Sequence, residues 1–95
     1  MSAPYSILIV EDDPGFASYL KRLLRRSDLN LIIASSGHEA IECLKRQRID
    51  IVLQDIGLPD IDGYKVIDQI RQQFSEVLII VMLIFSSARK ISTLR

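Results

Sequence analysis

Four acidic residues stand out by position. Glu11, Asp12 and Asp13 directly follow the apolar run Ile7-Leu8-Ile9-Val10, and Asp55 follows the apolar run Ile49–Leu53 with Gln54 between. Short apolar runs of this kind read as strands buried on both faces, so each acid falls at a strand's carboxyl end. If the two strands are neighbours, the acids converge. Converging carboxylates repel, and one of them would normally take up a proton. A hard cation removes that conflict. Mg²⁺ takes oxygen ligands in octahedral geometry, keeps several waters and uses one or two protein carboxylates. It would also draw in the oxygens of a phosphoryl group. The residues by themselves point to an acidic Mg²⁺ site that handles phosphate.

The elements that must position these acids alternate along the chain. Tyr5–Val10 is the first strand. Asp13-Pro14 then supplies a helix cap and a proline suited to the first helical position, and Phe16, Leu20, Leu23 and Leu24 repeat as one core-facing stripe. Leu29–Ala34 is a second strand. Ser36-Gly37-His38-Glu39 has the form of a capping box and opens a helix carrying Ala40, Ile41 and Leu44, ending near Gln47. Ile49–Leu53 is the third strand, running into Gln54-Asp55. Residues 56–63 form a Gly-, Pro- and Asp-rich loop. Val66, Ile67, Ile70 and Phe74 mark a third helix, Val77–Phe85 a fourth and very apolar strand, and Ser86–Arg95 a helical stub with Ile91 and Leu94 on one side. Alternation of this kind builds an α/β doubly wound parallel sheet with helices on both faces. Ligands in such folds bind outside the carboxyl ends of the strands, where the strand order reverses.

Composition narrows the rest. Ninety-five residues suffice for one domain, 1–95, and not for two. The formal net charge is zero, which argues against direct nucleic-acid binding. The cations Lys21, Arg22, Arg25 and Arg26 read as a solvated face that complements the end of a helix. A single cysteine, Cys43, excludes an intrachain disulfide and a thiolate zinc site, and its apolar neighbours suggest a small buried side chain. The longest apolar run, Val77–Phe85, is too short to cross a bilayer as a helix, and no basic-then-apolar leader is present. The expectation is a cytoplasmic protein without a membrane role. Asp60 and Asp62 read as turn and cap residues, His38 as an exposed helical residue.

The segment Ile7-Leu8-Ile9-Val10-Glu11-Asp12-Asp13-Pro14 resembles the opening of response-regulator receiver domains, and Asp55-Ile56-Gly57-Leu58-Pro59-Asp60-Ile61-Asp62-Gly63-Tyr64 resembles their phosphoacceptor segment, with Pro four and Gly eight residues after the Asp. The resemblance runs the whole chain, which spans about four-fifths of such a domain. It implies a flavodoxin-like receiver fold, incomplete at the C-terminus and lacking the fifth strand and fifth helix. It implies that Asp55 is the phosphoacceptor, that Asp12 ligates Mg²⁺ directly, that Glu11 acts through a water and that the Gly57 carbonyl adds an oxygen. It implies a two-component phosphorelay role rather than an enzyme's, with a histidine kinase or histidine phosphotransfer protein as phosphoryl donor. A receiver–receiver dimer is a further partner it allows.

The chain departs from the pattern in places. Receivers carry a Ser or Thr after the fourth strand and a Lys after the fifth; an ungapped count puts the hydroxyl position at Leu83 and the following small residue at Ile84. Ser86 or Ser87 would serve only with a longer loop, and Lys90 lies in the stub. Gln54 is tolerable as a polar strand end. The fourth strand is expected to present an apolar edge. These departures make a degenerate receiver, docking partners without being phosphorylated, the main alternative. A flavin-binding protein would want Ser, Thr or Gly where Glu11-Asp12-Asp13 stands, and an Asp-nucleophile phosphatase would want a general acid at Gly57, which has none.

Overall fold

The computed structural model describes residues 5–55 and 63–82. In chain order these form β1 (Tyr5–Val10), α1 (Pro14–Leu23), β2 (Leu29–Ala34), α2 (Gly37–Arg46), β3 (Ile51–Asp55), α3 (Gly63–Gln73) and β4 (Leu78–Met82). The strands make one parallel sheet in the order β2-β1-β3-β4. The parallel sheet is the one expected from the alternating pattern, and its strand order is the flavodoxin-like one that the receiver resemblance implies. The order reverses between β1 and β3, so the crevice between their carboxyl ends is the switch point.

β1 is paired on both sides, and Ile7, Leu8, Ile9 and Val10 are all buried, as its unbroken apolar run requires. Strand alternation splits these residues between two cores. Leu8 and Val10 join Val52, the α2 residues Ala40, Ile41 and Leu44, and the α3 residues Val66 and Ile70. Ile7 and Ile9 join Leu20 of α1, with Phe16, Leu24, Ile51 and Leu53 packed around them.

Local signals set the helix starts. The Asp13 side chain caps α1 by accepting from the Gly15 N–H at 3.1 Å, with Pro14 at the first helical position. Ser36 caps α2 by accepting from the Glu39 N–H at 3.1 Å. The Glu39 carboxylate reaches back as a capping box requires, but to the N–H and hydroxyl of Ser35, one residue before the cap. α2 ends at Arg46 with Gln47 as its C-cap.

Four details correct the pattern reading. Leu23, expected in the α1 stripe, is 64% exposed, whereas Ala17 and Leu20 are buried; at about 100° per residue the stripe centres between those two and Leu23 falls on its margin. β3 begins at Ile51 rather than Ile49 and includes Gln54 and Asp55. Gly63 opens α3 instead of closing the loop before it. Cys43 is half-buried rather than fully enclosed, and burial pushes its thiol pKa up. His38 is exposed as expected. β4 is the outer strand among the described residues and exposes Leu78, Ile80 and Val81. The loop residues Gly57, Pro59, Asp60 and Asp62 lie outside the described residues, as do Leu83, Ile84, Ser86, Ser87, Lys90 and the stub with Ile91 and Leu94. No helix among the described residues is long and apolar enough to cross a membrane.

Candidate functional site

The backbone brings the acids together. The Glu11 N–H donates to the Ala34 carbonyl at 3.0 Å, which extends the β1–β2 ladder by one residue. On the other side Ile9 is opposite Leu53 and Val10 opposite Gln54, so the same register carries Glu11 to the level of Asp55. Period-two alternation then puts Glu11 on the same side of the sheet as Ile7 and Ile9, and Asp55 on that side with Ile51 and Leu53. Glu11, Asp12 and Asp55 each offer a carboxylate oxygen, and these oxygens all lie within 4.8 Å of one another. Glu11 is 2% exposed, Asp55 fully buried and Asp12 half-buried.

Three carboxyls at this spacing cannot all ionise without compensation. Glu11 takes the strain: its pKa is raised from 4.5 to about 8. Burial is the largest cause, followed by hydrogen bonding with the Asp12 and Asp55 side chains and the nearby Asp55 charge; the Asp13 backbone N–H, 3.2 Å from Glu11 Oε2, works in the opposite direction. Oxygen donors clustered around a shared point, one holding a proton where a cation would do better, fit a hard divalent ion. Asp13 is not part of this group. Its carboxylate is committed to the α1 cap, as its place before Pro14 predicted.

Gln54 is the residue whose importance pattern reading missed. It is fully buried, and its Nε2 donates to the backbone carbonyl of Asp55 at 2.8 Å. Its Oε1 is buried with no hydrogen-bond partner among the described residues, a circumstance that costs on the order of 1–3 kcal/mol. The signal was present: Gln54 shares strand parity with Val52, a core residue. A cavity of about 480 Å³ lined by Leu44, Arg48, Asp50, Phe74 and Val77 lies at the other end of the sheet, away from the acids.

The chain matches the family model described as "Response regulator receiver domain" over residues 7–94. It is 36% identical over 70 residues to the probable transcriptional regulatory protein TcrX of Mycobacterium tuberculosis, covering 74% of this chain and 30% of that protein. It is 37% identical over 67 residues to the alkaline phosphatase synthesis transcriptional regulatory protein PhoP of Bacillus subtilis, covering 70% of this chain and 28% of that protein. The chain thus spans less than a third of the length of these relatives. Among solved structures it resembles the response regulator TrrA of Thermotoga maritima in complex with Mg(2+)-BeF, with a TM-score of 0.80 and 30% identity over 90% of this chain and 75% of that one. A sensor protein from Polaromonas sp. JS666 is similar at a TM-score of 0.75 and 30% identity, covering 81% of this chain and 63% of that one.

Proposed function

The chain belongs to the response regulator receiver domain family, and on that premise we propose that its single domain accepts a phosphoryl group on Asp55 with Mg²⁺ as cofactor. The observation that carries this reading is the convergence of oxygens from Glu11, Asp12 and Asp55 at the carboxyl ends of β1 and β3. The Mg(2+)-BeF complex of TrrA lends support, since that neighbour shares the fold and is 30% identical to this chain over the aligned residues.

Asp12 and Asp55 would ligate the ion directly, Glu11 through a water, and the Gly57 carbonyl would add a further oxygen. When bound, Mg²⁺ neutralises charge on the equatorial phosphoryl oxygens. The residues do the rest. An Asp55 carboxylate oxygen attacks phosphorus in line with the leaving group. The new P–O bond forms as the P–N bond to the donor's imidazole breaks, and the imidazole nitrogen keeps the electron pair. Burial of Asp55 shields the product from bulk water. The donor is a phosphohistidine on a histidine kinase or phosphotransfer protein. The role is that of a signalling domain, carried out in the cytoplasm, with any dimer formed between receivers and with no direct contact to nucleic acid.

The competing reading, a degenerate receiver that docks partners without being phosphorylated, rests on Leu83 standing where the family has a hydroxyl. One experiment separates the two. Incubation with Mg²⁺ and acetyl phosphate adds one phosphoryl mass, mapped to Asp55 and lost in Asp55→Asn. No added mass in the wild-type chain, or equal labelling of Asp55→Asn, rejects the phosphoacceptor reading.

A further inference from the structure

The geometry points to Gln54 as a positioning residue for the phosphoacceptor, its side-chain amide clamping the backbone carbonyl of Asp55 and thereby aiming the Asp55 carboxylate. The inference rests on the reading of Asp55 as the nucleophile. Gln54 Nε2 donates to the Asp55 carbonyl at 2.8 Å inside the protein, where no water competes. That carbonyl belongs to the peptide unit leaving β3. Holding the plane of this unit limits rotation about the Asp55 Cα–C bond, and the Cα–Cβ direction is tied to the same atom.

A role in stability alone is a poor account of this side chain. Its register partners, Val10 on β1 and Val81 on β4, are apolar, as is Val52 two residues earlier on its own face. An apolar residue of the same length would fill the space without burying an amide oxygen that has no partner among the described residues. The Gln54 side chain leaves its Oε1 without a partner among the described residues and holds one carbonyl, that of the residue proposed to react. Proximity and orientation govern phosphoryl transfer, in which the nucleophile must meet phosphorus in line. A looser Asp55 would therefore react more slowly without binding its donor less well.

The test compares wild type with Gln54→Met, which keeps length and volume but has neither donor nor acceptor, and with Asp55→Asn as the unlabelled control. The 95-residue chain is treated with Mg²⁺ and acetyl phosphate, and the labelling rate is followed by intact mass across donor concentrations. The expected result is a maximal rate reduced about tenfold with an unchanged apparent KM for acetyl phosphate, at a melting temperature equal to or above that of wild type. The Asp55 carbonyl ¹³C resonance shifts in the direction of a lost hydrogen bond. If wild type labels and Gln54→Met labels at the same maximal rate, the positioning role is rejected and the phosphoacceptor reading stands. A rate loss that merely follows a lowered melting temperature also rejects it, in favour of a structural role. If wild type takes no phosphoryl group, the phosphoacceptor reading fails and this inference with it.

Discussion

Asp50 and Asp55 flank the two ends of β3 and meet opposite circumstances. The Asp50 carboxylate, at the amino end, is surrounded by donors: Oδ2 accepts from the Ser6 N–H at 2.7 Å and Oδ1 pairs with Arg48 at 3.2 Å. Its backbone also ties into both neighbouring strands, through the Ser6 carbonyl and the Leu78 N–H. Asp55, at the carboxyl end, faces other acids, and Glu11 beside it carries a pKa near 8. Both are aspartates at the ends of one strand that is paired on both sides. A carboxylate surrounded by donors stabilises a fold, whereas carboxylates clustered together repel and favour a site for a cation. What surrounds each acid separates a structural aspartate from the one proposed to react.

The largest expected effect exchanges the two ends. Asp55→Asn should lose all labelling by acetyl phosphate and Mg²⁺. Asp50→Ala should label at the wild-type rate while folded, yet lose about 1–3 kcal/mol of stability in urea unfolding because the Ser6 N–H loses its partner. Loss of labelling in a demonstrably folded Asp50→Ala protein would break the distinction between the ends.

A second effect sharpens the boundary within the acidic run. Mg²⁺ that binds only the folded state raises stability by mass action, by about 1.4 kcal/mol at ten times its Kd. Asp12→Ala should abolish the metal-induced rise in melting temperature. Asp13→Ala should keep that rise while losing about 1 kcal/mol of baseline stability, the value of a helix cap. The reverse pattern would mean that the ligand position is misassigned by one residue.

The third effect is a pH dependence at the acidic end. Glu11 binds its proton more tightly folded than unfolded, its pKa moving from 4.5 to about 8. Its contribution to stability is therefore fully present below about pH 4.5 and is lost as pH rises through about 8. Without metal, melting temperature should fall between pH 5 and pH 8, and Glu11→Gln should flatten that slope. Mg²⁺ should bind more tightly at the higher pH, where Glu11 releases its proton. A metal-free slope unchanged in Glu11→Gln would assign the dependence to another group.

The smallest effect is a control at a distance. Ser36→Ala should lower stability by about 1 kcal/mol through the loss of the α2 cap, with labelling and the Mg²⁺ response unaltered. A change in either would mean that the carboxyl end senses general loss of stability, and the mutational contrasts above would need that correction.

Much of this was legible before any fold was known, where the determinants are local. Tyr5–Val10 and Leu29–Ala34 emerge with the bounds that their apolar runs suggest. Asp13 is a cap because it precedes Pro14, and Ser36 is a cap because Glu39 follows at the spacing that lets a side chain meet an exposed N–H. Where the reading slipped, the determinant was not local. Leu23 has the hydrophobicity of a core residue and the wrong angle for one. Gln54 looked like an unremarkable strand end because its partner is a backbone atom, which no residue pattern encodes.

What the residue order determined by itself was the set of strands and helices, their caps, and the acids at two strand ends. Each follows from side-chain periodicity and hydrogen bonding within a few positions. Only the tertiary structure decided that these ends are one place. The order β2-β1-β3-β4 makes β1 and β3 neighbours and brings residues 44 positions apart into contact, Glu11 with Asp55 at one end and Ser6 with Asp50 at the other. Packing on both faces then excludes water from Glu11 and Gln54. Charge repulsion, and an amide oxygen without a partner among the described residues, acquire their cost only once water is gone, so the chemistry of the site arises from burial.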